Sequence, residues 1–340
     1  MSRADHVALV LGGGNALGAY HAGAYAALHA HGMRIDRVVG ASAGAINGAI
    51  IAGNAAEDRL ARLAALWRPA AGPISGAWLP QAADTARRTL AATWGLTTGR
   101  TGLFRPRGTA LWQTVVGDDF PGLYDTAEME ATLRASIDFD RLNRGAIRYT
   151  ATALDLETGE DVAFDTAAMT LAPAHVRASS ALPPAFPPVE IDGHLYVDAG
   201  ISANLPIDPV LAELEAGTTL CLAIDLLPLK APRPQSLGEL AERAQDLIFA
   251  AQTRRSLDRW RAIAALSTMP SVHVVHLQYA AQHREVAGKA FDFSPETVQE
   301  RWAAGERDMT GVLAAIDDGA IVIGTPGLTI TSVTPEPAPG

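Results

Sequence analysis

The N-terminal part of the chain alternates between short apolar runs and longer segments with helical spacing of apolar positions. Residues 7–11 read Val-Ala-Leu-Val-Leu and predict a buried strand, and residues 17–31 predict a helix. A second β-type run ends at residue 39, and the Ala- and Ile-rich residues 45–52 predict another helix. The order strand, loop, helix, strand, turn, helix is typical of a parallel sheet with right-handed crossovers.

The pattern changes over residues 57–120, where tryptophans are interspersed with proline and glycine breaks. We interpret this segment as a mostly helical insertion. The Thr- and Pro-rich residues 325–340 predict a frayed or disordered tail. Between these segments, strands are predicted at residues 147–154, 161–164, 219–224 and 272–277, and helices at residues 237–266 and 296–316.

These elements predict an α/β protein of three layers, with helices on both faces of a mainly parallel central sheet. The chain has 340 residues, of which 48% are hydrophobic, so it can bury one large core or two ordinary ones. We expect a first domain over residues 1–224, which includes the insertion. An extension of helices and strands over residues 225–324 would pack on the same core and precede the tail.

The charge balance and the cysteine count narrow the class of protein. The formal net charge is -10 without a run of Lys or Arg, which argues against a nucleic acid partner. The single cysteine, Cys221, lies in an apolar run, so we expect a buried, inert thiol and no intramolecular disulfide. No apolar run reaches the roughly 18 to 20 residues that span a bilayer, and none resembles a signal peptide. A cytoplasmic protein is expected, with peripheral contact to a membrane left open.

The pentapeptide Gly40-Ala41-Ser42-Ala43-Gly44 lies between the second predicted strand and the helix that follows it. A GxSxG sequence at such a corner forces its central residue into a strained backbone and exposes the side chain at the carboxyl edge of the sheet. Composition alone predicts roughly 0.1 chance occurrences of GxSxG, so the placement carries more weight than the match. Ser42 is therefore the candidate nucleophile, with Gly40 and Gly44 as the small residues that form the nucleophile elbow.

A glycine-rich loop precedes this corner. Residues 12–18 read Gly-Gly-Gly-Asn-Ala-Leu-Gly between a predicted strand and a helix N-terminus, where main-chain N–H groups can converge on an anion. In an acyl-transfer enzyme, such a loop would form the oxyanion hole. In a nucleotide-binding protein it would hold a pyrophosphate, and Asp36 lies not far beyond, although the spacing fits GxGxxG poorly.

A third candidate site lies at the end of a predicted hairpin. Residues 189–200 alternate apolar and polar positions around Asp192-Gly193, which is a strong two-residue turn signal. The returning strand ends at Asp198, which is followed by small residues. Such an aspartate is a candidate buried acid or base, and the alternative is an aspartate that only caps a turn.

Together, these three sites resemble those of the patatin-like phospholipase family, in its bacterial branch. The resemblance implies a Ser42-Asp198 catalytic dyad and an oxyanion hole built from the backbone amides of Gly13, Gly14 and Asn15. Similarity extends over about residues 7–224 and includes residues 178–188. The later helices, with the Phe-Asp-Phe-Ser sequence at residues 291–294, resemble an extension found in some bacterial members.

The chain departs from the family pattern at a few positions. The family loop is usually G-G-G-x-[RK]-G, whereas this chain has Asn15 for the third glycine and Leu17 for the cation. Because asparagine tolerates left-handed backbone better than most residues, we expect the loop to form without the electrostatic contribution of Arg or Lys. Asp198-Ala199-Gly200 replaces the usual Asp-Gly-Gly or Asp-Gly-Ala and is the milder change.

The resemblance implies a serine acyl hydrolase that cleaves carboxylic esters of lipids, of the phospholipase A or lysophospholipase type, without a cofactor. Asp198 would accept the Ser42 proton, and burial would have to raise its pKa because an ordinary aspartate is a weak base. A general carboxylesterase or acyltransferase on the same site stays open. So does a catalytically silent protein that binds lipid or nucleotide.

Three further features of the sequence bear on this hypothesis. A Ser-His-Asp triad is formally open through His273 or His276, although both alternate within a strand-like run. No His, Cys, Asp or Glu cluster has metal-ligand spacing, so no metal is predicted. The tryptophans of residues 57–120 could cap an acyl-chain channel or form an interfacial patch, with lipid phosphates bound by nearby arginines, or they could be core. The arginines in question are Arg100, Arg105 and Arg107.

Overall fold

The computed structural model describes residues 4–68, 83–108, 122–280 and 282–335. Its strands are β1 His6–Leu11, β2 Arg37–Gly40, β3 Arg105–Pro106, β4 Tyr124–Asp125, β5 Arg148–Asp155, β6 Asp161–Asp165, β7 Val189–Ile191, β8 His194–Asp198, β9 Thr218–Asp225, β10 Ser271–Gln278 and β11 Leu328–Val333. Its helices are α1 Ala19–His31, α2 Ala43–Ala52, α3 Arg59–Trp67, α4 Asp84–Thr98, α5 Ala127–Ser136, α6 Phe139–Arg144, α7 Pro173–Ser179, α8 Asp208–Leu211, α9 Leu237–Leu266 and α10 Pro295–Asp317.

Most of these strands form a single sheet. In the described residues, nine strands pair in the order β11-β10-β9-β1-β2-β5-β8-β7, with β6 also paired to β5. The strands from β11 to β5 run parallel, whereas β6, β7 and β8 are antiparallel to their neighbours. The prediction of a mainly parallel sheet is confirmed. The carboxyl ends of β1 and β2 lie side by side, which brings the loops that follow them to the same edge.

Helices cover both faces of this sheet. Because side chains alternate along a strand, Leu9 and Leu11 of β1 pack in one core with α1, α2 and α10. Ala8 and Val10 pack in a second core with α8 and with Leu257 of α9. The predicted three-layer α/β/α arrangement is therefore confirmed.

The C-terminal segment of the chain continues the same sheet and packs on its first helix. Close contact between α1 and α10 depends on two glycines. A Cβ on Gly23 would lie 1.8 Å from the carbonyl oxygen of Trp302, and one on Gly305 would lie 2.0 Å from that of Tyr20. Cys221 of β9 is buried, and burial raises the pKa of its thiol to about 12, as expected for an inert side chain.

The structure corrects one expectation and leaves another partly outside the described residues. The prediction of a frayed tail is wrong for Leu328–Val333, which forms β11 and pairs with β10. Its β-branched residues favour extended backbone, and β10 offers a partner edge. Within the predicted helical insertion, α3 and α4 are helices. Residues 69–82, 109–121 and 336–340 lie outside the described residues, and the first two of these segments contain Trp78 and Trp112.

None of the helices in the described ranges is both long enough and apolar enough to cross a bilayer.

Candidate active site

Ser42 lies at a strained corner between β2 and α2. Its backbone has φ +55° and ψ -125°, which non-glycine residues rarely adopt. Its N–H donates to the carbonyl oxygen of Ser179 at 2.9 Å, and its half-buried side chain lines a cavity. The corner thus presents Ser42 at the carboxyl edge of the sheet, where the strand-turn-helix pattern predicts it.

Two glycines allow the strands and α2 to meet at this corner. A Cβ on Gly40 would lie 2.4 Å from the carbonyl carbon of Gly44, and one on Gly44 would lie 2.1 Å from the carbonyl oxygen of Leu11. Cβ atoms do not approach backbone so closely in proteins, so a larger residue at either position must displace a strand or the helix.

Replacing Gly44 by alanine is expected to lower the free energy of unfolding by about 3 kcal/mol, because the new methyl group meets backbone rather than a flexible side chain. Urea denaturation followed by circular dichroism measures the change. Gly311→Ala in α10 is the matched control: its Cβ meets nothing within 4 Å, and we expect a gain of about 0.5 to 1 kcal/mol. Equal denaturation midpoints for the two variants would contradict the close approach at Gly44.

The glycine-rich loop forms a short 3₁₀ turn, Asn15–Gly18, before α1 begins. Asn15 has φ +48°, so asparagine adopts the left-handed backbone that the sequence comparison with the family loop anticipated. Leu17, which stands where the family has a cation, is fully buried. Gly18 has no space for a side chain, because its Cβ would lie 2.7 Å from the ring of Trp67.

The main-chain donors of this loop differ from the prediction. The N–H of Gly13 donates to the carbonyl oxygen of Asn204 at 3.0 Å. The prediction that Gly13 is an oxyanion donor is therefore wrong, because this amide is already paired. Within the described residues, the N–H groups of Gly14 and Asn15 donate to no other group, and both residues line the cavity beside Ser42. Ala43 lines the same cavity, and within the described residues its N–H also donates to no other group. Sequence reasoning missed Ala43, although the residue after a nucleophile at such a corner is a known source of an oxyanion donor.

Asp198 ends β8 and lines the same cavity as Ser42. Its side chain is 1% exposed, and its Oδ1 accepts a hydrogen bond from the N–H of Gly200 at 2.7 Å. Burial raises the pKa of Asp198 to about 6, while hydrogen bonds from the Gly200 N–H and from the Ser42 side chain lower it in part. Asp198 therefore caps a turn and also interacts with Ser42, so the two readings of this residue are not exclusive.

Asn204 and Gln252 join the two loops that carry these groups. The Asn204 side chain donates to the carbonyl oxygen of Gly13 at 3.3 Å, and its own N–H donates to Oε1 of Gln252 at 2.9 Å. Nε2 of Gln252 donates to the carbonyl oxygens of Gly200 and Ile201. A side chain of α9 therefore holds the turn that follows Asp198, a contact without a signal in the sequence.

The cavity has a volume of about 260 Å³ and is lined mainly by apolar side chains. The lining from the insertion includes Leu66, Trp67, Leu103 and Phe104. Phe104 meets Phe186, Phe291 and Phe293 edge to face or tilted, with ring centroids 5.2 to 6.0 Å apart. A second cavity of about 430 Å³ lies behind this aromatic wall and shares Leu66, Leu103, Phe291 and Phe293 with the first. The C-terminal extension and the insertion thus enclose the site together.

Histidines are placed elsewhere. Among the described residues, no histidine lines the cavity of Ser42. The His273 ring contacts the Val322 carbonyl oxygen and the Thr331 hydroxyl, and Nε2 of His276 lies 3.3 Å from Asp225. A Ser-His-Asp triad through either histidine is therefore excluded by position. Among the residues that the structure describes, no group of three or more His, Cys, Asp and Glu side chains is arranged to hold a metal ion.

The arginines of the insertion are engaged within the protein. The guanidinium of Arg100 lies over the rings of Trp67 and Phe293 and donates to the Leu66 carbonyl oxygen. Arg105 pairs with Glu128, and Arg107 lies 3.9 Å from Asp125. The expectation that Arg100 contacts lipid phosphate is therefore wrong, because this side chain packs inward.

Comparison with known proteins gives matches along most of the chain. A family model described as patatin-like phospholipase matches residues 9–211. A second model, described as patatin phospholipase, matches residues 232–318. The first match contains Ser42 and Asp198, and the second contains α9 and the Phe291 and Phe293 side chains of the cavity wall.

Individual relatives are more distant. Proteins from Mycobacterium tuberculosis and Mycobacterium bovis, each named an uncharacterized NTE family protein, are 27% identical to this chain over 262 residues. These matches cover 75% of the chain, which spans only 61% of the length of these curated relatives.

Solved structures show similarity at low sequence identity. VipD from Legionella pneumophila aligns with 92% of this chain and 68% of its own, with a TM-score of 0.48 and 16% identity. The type III effector ExoU of Pseudomonas aeruginosa aligns with 92% of this chain and 53% of its own, with a TM-score of 0.38 and 17% identity.

Proposed function

This chain belongs to the patatin-like phospholipase family, and we propose that it hydrolyses carboxylic esters of lipids through Ser42 and Asp198. One observation carries the proposal: a strained serine, a buried aspartate of raised pKa and unpaired main-chain N–H groups converge on one apolar cavity. Each of these features is costly for folding, and together they match the needs of acyl transfer.

The first half of the reaction forms an acyl-enzyme. Oγ of Ser42 attacks the ester carbonyl carbon while the carboxylate of Asp198 takes the hydroxyl proton. The N–H groups of Gly14, Asn15 and Ala43 donate to the tetrahedral oxyanion, and one such donor is typically worth about 2.7 to 4 kcal/mol. When the intermediate collapses, the bond to the alcohol oxygen breaks and Asp198 returns the proton to the leaving alcohol.

The second half uses water. Asp198 takes a proton from a water molecule, whose oxygen attacks the acyl carbon bound to Ser42. Collapse of the second intermediate breaks the bond to Oγ, Ser42 recovers its proton, and the carboxylic acid leaves. A carboxyl group with a pKa of about 6 suits both steps, because it is a stronger base than an ordinary aspartate and is still ionised at neutral pH.

The lining of the cavity indicates which part of a substrate it takes. Leucine, isoleucine and phenylalanine side chains around Ser42 would bury an acyl chain, as apolar pockets do for apolar ligands. The second cavity, behind Leu103 and Phe291, would give a longer chain more room. These features favour a fatty acyl donor over a short-chain ester, and they offer little to a pyrophosphate.

The test measures fatty acid release from phosphatidylcholine, lysophosphatidylcholine and the p-nitrophenyl esters of butyrate and laurate. We expect release from at least one lipid, and faster hydrolysis of laurate than of butyrate by about tenfold in kcat/KM. Addition of glycerol distinguishes an acyltransferase, which would form a glyceride at the expense of free acid. If the folded protein cleaves none of these esters and a fluorophosphonate probe does not label it, the proposal fails.

A further inference from the structure

One face of α9 is apolar and open to solvent. The face comprises Leu237, Leu240, Ala241, Ala244, Leu247 and Ile248, which we call the α9 apolar face; each of them is exposed. Leu237 is 82% exposed and Ile248 is 63% exposed, whereas large aliphatic side chains of a soluble domain are usually buried. The spacing of three and four residues places all six on one side of the helix, over a length of about 17 Å.

The opposite side of α9 forms part of the candidate active site. Glu242, Asp246 and Phe249 line the cavity that contains Ser42, and Gln252 holds the turn after Asp198. Ile201 lies in that turn and is itself 43% exposed. A single helix therefore separates the cavity from the apolar face.

Two cationic side chains continue this face at its C-terminal end. Arg254 follows Leu247 by seven residues and Arg255 follows Ile248 by seven, a spacing that keeps them on the same side of the helix. Both are exposed, and neither makes an ion pair or a side-chain hydrogen bond to the residues that the structure describes. These cations stand out on a chain whose formal net charge is -10.

We propose that the α9 apolar face docks the protein on an anionic lipid bilayer. The proposal rests on the proposed function, because it places the cavity of a lipid hydrolase next to its substrate. Leucine and isoleucine side chains would enter the boundary between headgroups and acyl chains, while the flanking cations would contact anionic headgroups. A second copy of the chain is the other occupant of such a face, and the experiment below distinguishes it from a bilayer.

Vesicle flotation tests this surface without relying on catalysis. Ser42→Ala protein would be mixed with phosphatidylcholine vesicles that contain 30% phosphatidylglycerol, with and without the further changes Leu247→Gln and Ile248→Gln. We expect those two changes to weaken partitioning by at least about tenfold, because two aliphatic side chains lose their burial. Val322→Gln is the matched control: Val322 is 61% exposed, and its carbonyl oxygen contacts His273 of β10, far from the carboxyl edge of the sheet.

A second comparison tests the charge argument. Arg254→Gln with Arg255→Gln should weaken binding to the anionic vesicles by about tenfold and leave the weak binding to pure phosphatidylcholine unchanged. Equal flotation of the Leu247/Ile248 variant and the parent, or equal losses with Val322→Gln, would overturn the proposal. So would a dimer in sedimentation velocity that the Leu247/Ile248 changes dissolve. The same substitutions would also be made in protein that keeps Ser42. These variants should hydrolyse a soluble p-nitrophenyl ester at the rate of the parent, so a loss of docking can be distinguished from a loss of catalysis.

Discussion

Ser42→Ala is expected to lower kcat by at least about 10⁴-fold for every ester that the protein hydrolyses, because the variant lacks the Oγ on which the proposed acyl-enzyme forms. The variant should also lose all labelling by a fluorophosphonate, which adds to an activated serine and is read out by intact mass. The backbone at residue 42 is set by the surrounding strands and helix, so the fold should be retained.

Ser180 offers a matched control for this prediction. It lines the same cavity, but its hydroxyl donates to the carbonyl oxygen of Val176 at 3.0 Å. We expect Ser180→Ala to keep its labelling and its kcat within about threefold of the parent. Labelling that survives in Ser42→Ala, or disappears in Ser180→Ala, would contradict the assignment of the nucleophile.

The strain at this position gives a further readout in the same series. Because Ser42 has φ +55°, glycine should adopt this backbone with less strain than alanine or serine. Ser42→Gly is therefore expected to unfold with a free energy about 1 kcal/mol higher than that of Ser42→Ala, with both inactive. Urea denaturation of the two variants checks this difference.

Asp198→Asn is expected to lower kcat by about 10³-fold, because the amide keeps the shape of the side chain and cannot accept the serine proton. In the parent, kcat/KM should rise with pH through about 6 and then level off, as the carboxyl group ionises. A pH profile that is flat below 6, or one that survives in Asp198→Asn, would show that another group is the base.

The same substitution has an effect on stability with a defined sign. The pKa of Asp198 is about 6 in the folded protein and near its ordinary value of 3.8 when unfolded, so the folded state binds more protons between these values. The wild-type protein thus loses stability as pH rises from about 4 to 6. Above pH 6, Asp198→Asn should be more stable than the parent by up to about 3 kcal/mol, since one pKa unit is worth about 1.4 kcal/mol.

Asp165 provides a control of opposite sign. Burial raises the pKa of Asp165, but hydrogen bonds from Arg148, the Ala167 N–H and Thr150 outweigh it, so the pKa lies below its ordinary value. Asp165→Asn should therefore destabilise the protein by a similar amount at pH 7.5 and 4.5, and the deficit should shrink only as pH falls below the ordinary pKa of 3.8. Thermal unfolding at pH 4.5 and 7.5 separates the two cases, and destabilisation by Asp198→Asn at pH 7.5 would contradict the raised pKa.

Local features of the sequence were sufficient to locate the candidate reacting groups. Gly40 and Gly44 predict the corner because a strand and a helix can approach so closely only where no Cβ lies between them. This steric requirement acts over a few residues, so the local sequence is enough to show it. The Asp192-Gly193 turn fixes the hairpin register in the same local way, which delivers Asp198 to the end of its strand. Short apolar runs predicted the interior strands of the sheet, and helical spacing of apolar residues predicted most of the helices.

Other features depend on contacts between residues far apart in the chain. The pairing of the Gly13 amide with Asn204 could not be read from the glycine loop, since the acceptor lies 191 positions away. The inward packing of Arg100, the formation of β11 on the edge of β10 and the clamp of Gln252 on the Asp198 turn are of the same kind.

The sequence by itself determined the α/β class, the strand-turn-helix corner at Ser42 and the hairpin that ends in Asp198, because backbone sterics and apolar periodicity act between near neighbours. The tertiary structure alone decided which amides stay unpaired, how far burial raises the pKa of Asp198 and that α9 walls the cavity. Those properties arise from what surrounds each group in space, and distant segments supply those surroundings.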